Sequence, residues 1–122
     1  MRTKSVLIIE DNEPIRRLIA GYLITSGYEV LEAEDGYWGL EYSRQFQPDL
    51  VLCDVMMPGL SGFDVLRGIR NDTLIAQTPC VLISSNDDPD ALEMGRTLGA
   101  QAFLIKPILY NALRDIVDGY LA

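Results

Sequence analysis

Five short apolar runs punctuate the chain, and four of them end on residues that carry chemistry. Ser5-Val-Leu-Ile-Ile-Glu10 is β-branched and turns abruptly acidic, and Glu29 to Ala33 is a weaker run. Leu50-Val-Leu-Cys53 ends on Asp54, Cys80-Val-Leu-Ile83 on Ser84 and Ser85, and Ala102-Phe-Leu-Ile105 on Lys106-Pro107. Continuous apolar stretches of this length predict strands buried on both faces. Between them the period becomes helical. Asn12 predicts an N-cap and Pro14 a first-turn position, and Ile15, Leu18, Ile19, Tyr22 and Leu23 form a stripe that stops at Gly27. Gly36 to Gln45 predicts a second helix, weakened by Gly39, since glycine inside a helix costs about 1 kcal/mol relative to alanine. Pro48-Asp49 breaks that pattern.

A loop holding Pro58, Gly59 and Gly62 leads into a third helix from about Phe63 to Asn71. A fourth begins within Asn86 to Pro89 and runs to about Leu98, closed by Gly99. The last places Leu109, Leu113, Ile116, Val117, Tyr120 and Leu121 on one face. Strands alternating with helices in this way predict an α/β fold: a five-stranded parallel sheet joined by right-handed crossovers, with five helices on both faces. With no repeat, linker or low-complexity stretch, residues 1–122 read as one domain.

Composition narrows the function. At 48% hydrophobic the 122 residues can build a real core, burying roughly two-thirds of the unfolded surface. The balance of 10 Lys+Arg against 18 Asp+Glu gives a net charge of −8, which argues against a nucleic acid or an anionic membrane as partner. Val6 to Ile9 is far too short for a signal peptide or a membrane span, so the chain reads as cytoplasmic. Cys53 and Cys80 lie in apolar runs without CxxC spacing and read as buried free thiols. There is no histidine, which removes the usual neutral-pH base and the commonest zinc ligand. Chemistry here must run on carboxylates, hydroxyls and lysine.

In an open parallel sheet, sites form outside the carboxyl ends of the strands. Glu10 and Asp11, Asp54, Ser84 and Lys106 occupy those ends, and they meet in one cleft if the first, third, fourth and fifth strands are neighbours. Three carboxylates against one ammonium repel when empty, and a hard divalent cation relieves them. Oxygen ligands without a twelve-residue calcium loop fit Mg²⁺. Neutralised in this way, the cluster admits a phosphoryl group to Asp54, with Lys106 and the Ser84 hydroxyl for its other oxygens.

Glu10-Asp11, Asp54 followed by Met56-Met57-Pro58-Gly59 and Gly62, then Ser84, then Lys106-Pro107 resemble the signature of the response-regulator receiver domain of two-component signalling, across essentially the whole chain. The resemblance implies the flavodoxin-like receiver fold with strand order 2-1-3-4-5. It implies Asp54 as phosphoacceptor from a partner phosphohistidine and Mg²⁺ held by Asp11 and Asp54, with Glu10 acting through water and the Met56 carbonyl completing the set. Lys106 pairs with the acyl phosphate, and Ser84 swings in to hydrogen-bond it. Pro58 and Gly62 shape the loop, and Pro107 matches the family's cis-proline. Phe103 takes the place of the family's switching aromatic, which in many relatives is a tyrosine.

The implied partners are a sensor histidine kinase or a histidine phosphotransfer protein. A downstream protein would be met through the fourth helix, fifth strand and fifth helix, including Ala91, Met94 and Phe103. Position 56 and Asn86 are expected to tune the phosphoryl lifetime. No turnover of an external substrate is implied beyond the domain's own phosphorylation and dephosphorylation. An alternative is a pseudo-receiver, a docking module that works without phosphorylation. A dehalogenase-type phosphatase would want a second acid where Met56 stands, and a flavodoxin-like nucleotide carrier would not place Glu10-Asp11-Asn12-Glu13 at its phosphate loop.

Overall fold

The computed structural model describes residues 2–85 and 88–122. Its elements are β1 (Ser5–Ile9), α1 (Glu13–Thr25), β2 (Glu29–Ala33), α2 (Gly36–Phe46), β3 (Leu50–Asp54), α3 (Gly62–Arg70), β4 (Cys80–Ser84), α4 (Pro89–Thr97), β5 (Ala102–Ile105) and α5 (Tyr110–Leu121). The strands form one parallel sheet in the order β2-β1-β3-β4-β5, as the resemblance implied. Strands buried on both faces must be apolar throughout, and β3 and β4 are buried along their whole length.

Alternate strand residues feed two cores. Val6, Ile8, Leu50, Leu52, Val81, Ile83 and Leu104 pack against Ile19 and Leu23 of α1 and Leu113 and Val117 of α5. On the other face Leu7, Ile9, Val51, Cys53, Cys80 and Leu82 pack against Val65, Leu66 and Ile69 of α3. Leu40 and Tyr42 of α2 and Phe103 of β5 join that layer. Both cysteines are free and buried, and burial pushes each thiol's pKa up, to about 11 for Cys80.

Local signals set the helix ends. Asn12 accepts the Ile15 amide at 3.0 Å, and Ser61 forms a reciprocal capping box with Asp64 at the start of α3. Gly39 turns out to be a contact residue. A Cβ there would stand 2.5 Å from Ile9 Cδ1, so its absence lets α2 lie close on β1.

Two expected helical faces need correction. On α1 Ile19 and Leu23 are buried and Ile15 and Tyr22 pack against the core as expected, but Leu18 is 48% exposed and the fully buried set is Arg16, Ile19, Ala20 and Leu23. The spacing i, i+3, i+4, i+7 holds, but its first position is an arginine. On α5 only Leu113 and Val117 are fully buried; Leu109 precedes the helix at 65% exposed and Tyr120 is 43% exposed. Asn86, one of the two positions expected to tune the phosphoryl lifetime, lies outside the described residues.

Candidate functional site

The sheet order creates the site. From edge strand β2 the chain returns across β1 to β3, so a crevice opens at the carboxyl ends of β1 and β3. Ile9 and Cys53 are the last paired positions of those strands, and Glu10 and Asp54 follow them directly. Glu10 is fully buried and Asp54 is 3% exposed, whereas Asp11 is exposed at the mouth. One carboxylate oxygen from each of the three lies within 4.8 Å of the other two.

Lys106, just past β5, closes the far side. Its Nζ lies 2.9 Å from Glu10 Oε1 and donates to Asp54 Oδ2 at 3.2 Å. Its amide donates to the Ser84 carbonyl at 2.8 Å, which continues the β4–β5 ladder into the site. The Lys106–Pro107 peptide is cis. Burial alone would lower the lysine's pKa, but pairing with Glu10 and the charges of Asp54 and Glu10 outweigh it, so the ammonium is held above its usual value. Asp11 also shifts upward, which for a carboxyl disfavours the charged form. Partial burial, then contact with Glu10 and its charge, raise its pKa, as expected of like charges crowded together.

The surrounding residues shape this arrangement. Ser84 ends β4, next to β3, and is 6% exposed. Gly62 begins α3 where a Cβ would stand 2.5 Å from the Asp54 carbonyl oxygen, and its amide donates to Val55 O at 2.9 Å. A side chain there would push α3 away from the strand end that carries Asp54. Pro58 lies with Gly59 and Leu60 in the loop between β3 and α3, facing Asp35, Gly36 and Tyr37 across a shallow cavity. Met56 follows Val55 with a 72% exposed side chain. Phe103 lies on β5. It pairs in register with Leu82 and is half-buried against Gly95 of α4.

The sequence reading missed Arg16. Its Nη1 donates to the Glu10 carbonyl at 2.9 Å and its Nε to Glu32 Oε1 of β2 at 3.0 Å. The signal was present as an arginine heading the i, i+3, i+4, i+7 stripe, in a position that otherwise calls for an apolar side chain.

The donor set suits a hard cation: three carboxylates and no nitrogen or sulfur ligand in the group. Glu10 Oε1 is fully buried and, apart from its ion pair with Lys106, makes no hydrogen bond. A buried carboxylate oxygen whose charge is met by a single ammonium keeps lone pairs that a hard cation or its bound water could use. No helix among the described residues is long and apolar enough to cross a membrane.

Comparison with known proteins agrees with this geometry. Residues 6–118 match the family model described as the response regulator receiver domain. Protein PilH of Pseudomonas aeruginosa is 32% identical over 117 residues, covering 96% of this chain and 97% of PilH. The polar-differentiation response regulator DivK of Brucella ovis is 30% identical over 122 residues, covering 98% of this chain and 97% of DivK. Among solved structures, chemotaxis protein CheY4 of Vibrio cholerae superposes with a TM-score of 0.94 at 28% identity, covering 98% of this chain and 100% of CheY4. A family match that runs from the second residue of β1 into α5, joined to the same sheet order, makes this chain a response-regulator receiver domain, a signalling module of the two-component type rather than a metabolic enzyme.

Proposed function

We propose that the protein accepts a phosphoryl group on Asp54 from a partner's phosphohistidine in a Mg²⁺-dependent reaction and thereby changes its protein-binding surface. The observation that carries this reading is the buried Asp54 carboxylate, held by Lys106 Nζ at 3.2 Å and clustered with Glu10 and Asp11. The histidine must come from the partner, since this chain has none.

Asp11 and Asp54 would hold the ion directly, Glu10 through water, and the Met56 carbonyl would complete the protein ligands. Mg²⁺, when bound, supplies the positive charge that lets an anionic phosphoryl group approach a carboxylate. The Asp54 oxygen attacks phosphorus as the P–N bond breaks, and the electron pair of that bond leaves with the imidazole nitrogen. Lys106 neutralises charge on the phosphoryl oxygens, and Ser84 moves in to hydrogen-bond one of them. Phe103 and α4 respond to that movement. Exposed Met94, Ile105, Leu109 and Tyr120 make the α4–β5–α5 side the apolar surface for a downstream protein. The domain turns over no external substrate, and its place of action is the cytoplasm.

The test is chemical. Incubation with Mg²⁺ and acetyl phosphate should place one phosphoryl group on Asp54, read by mass spectrometry after borohydride trapping. Asp54→Asn should abolish the label while leaving the far-UV circular dichroism unchanged. A folded, Mg²⁺-binding protein that never takes up the label would instead be a phosphorylation-independent docking module.

A further inference from the structure

Arg16 is the one charged residue on the buried stripe of α1, only 9% exposed, and both hydrogen bonds that fix its guanidinium are directed. Nε donates to Glu32 Oε1 on edge strand β2 at 3.0 Å, and Nη1 donates to the Glu10 carbonyl at 2.9 Å. Burying an arginine is unfavourable unless its donors are met, so the packing specifies this placement strongly.

The bond to the Glu10 carbonyl falls where the sheet stops. The Glu10 amide still pairs with Ala33 O at 3.1 Å, but β2 ends at Ala33. The guanidinium therefore replaces the missing strand as donor to the Glu10 carbonyl. That carbonyl belongs to the peptide unit linking Glu10 and Asp11, whose plane contains both Cα atoms. Fixing its orientation sets the direction from which both carboxylates depart. The loop is clamped again from α1, where the Arg16 amide donates to Asn12 O at 2.9 Å and Asn12 caps the helix through Ile15.

We infer that Arg16 is a positioning residue for the cation site: braced by Glu32, it locks the Glu10–Asp11 peptide plane so that the two carboxylates converge with Asp54. It touches neither the ion nor the phosphoryl group. The inference rests on the magnesium reading above. Partners that orient metal ligands from behind typically change metal affinity 10- to 100-fold when removed, and a forked guanidinium spanning two acceptors is replaced only in part by a lysine.

The experiment measures Mg²⁺ affinity by titration calorimetry on the full chain, beside urea unfolding in EDTA. Arg16→Met should weaken Mg²⁺ binding by about 10-fold or more, Arg16→Lys should recover part of that loss, and Glu32→Gln should fall between wild type and Arg16→Met. If Arg16 only supports the fold, Arg16→Met will lower the urea midpoint and leave the affinity of the folded protein at the wild-type value, which overturns the proposal but not the receiver reading. A wild-type chain that binds no Mg²⁺ overturns both. Should Arg16→Met fail to fold, Arg16→Lys and Glu32→Gln decide the matter, and wild-type affinity in both overturns the proposal.

Discussion

At the foot of the sheet, far from the carboxylate cluster, Asp49 ties the start of β1 to the start of β3. Its carboxylate accepts from Arg2 Nη2 at 2.6 Å and from the Ser5 amide at 2.8 Å. Burial alone would raise its pKa, but these two donors and the nearby charges of Arg2 and Lys4 outweigh it, so the carboxyl is held below the ordinary aspartate range. A depressed carboxylate contributes stability that is present above the unfolded pKa and lost as pH falls through the folded one. Asp49→Asn should therefore be less stable than wild type at about pH 6, and the gap should narrow as the solution is taken below about pH 3. Urea unfolding at a series of pH values reads this directly; a gap that stays constant across the series rules it out.

Two glycines inside helices make opposite demands on the elements that contain them. Around Gly21 on α1 an added Cβ would meet nothing within 4 Å, whereas at Gly39 on α2 it would stand 2.5 Å from Ile9 Cδ1 and 2.9 Å from Ile9 Cγ1. Gly21→Ala should stabilise by about 0.4–1 kcal/mol, because it reduces the freedom of the unfolded chain. Gly39→Ala gains the same propensity but pushes α2 off β1, and should cost about 1–3 kcal/mol net, as overpacking does. Equal gains in urea midpoint for the two variants would show that α2 does not lie where the packing puts it. The result also bears on the site, since Ile9 immediately precedes Glu10 on β1.

For the molecule as a whole, fold and site are linked through charge. Glu10, Asp11 and Asp54 face a single ammonium, Lys106, and Asp11's raised pKa reflects partial burial together with the proximity of Glu10. A cation that binds this cluster only when the strand ends are assembled stabilises the native state by mass action. Mg²⁺ at a hundred times its Kd should add about 2.7 kcal/mol to the unfolding free energy, and EDTA should remove it. Asp11→Asn should lose most of that increment at the same Mg²⁺ concentration, while Asp49→Asn, at the other end of the sheet, should keep it. Thermal or urea unfolding with and without Mg²⁺ measures the increment, and its absence in wild type would separate this chain from the proposed chemistry.

Much of this was legible in the sequence because buried parallel strands have to be apolar and their last residues have to face the crevice. Runs such as Leu50 to Cys53 followed by Asp54 carry both requirements in consecutive positions, and the capping of α1 by Asn12 is equally local. The chain's residue order by itself determined the strand–helix alternation and the candidate site residues. Tertiary structure decided which of those residues meet. Lys106 and Asp54 are 52 positions apart and reach 3.2 Å only because β3, β4 and β5 lie side by side. It also decided that Arg16 is buried and Leu18 is not, that Gly39 is a contact, and that Phe103 rests against Gly95 of α4. Local sequence fixes periodicity and propensity within a few residues, but the rotation of a helix on its sheet and the distance between strand ends are set by packing that the whole chain shares.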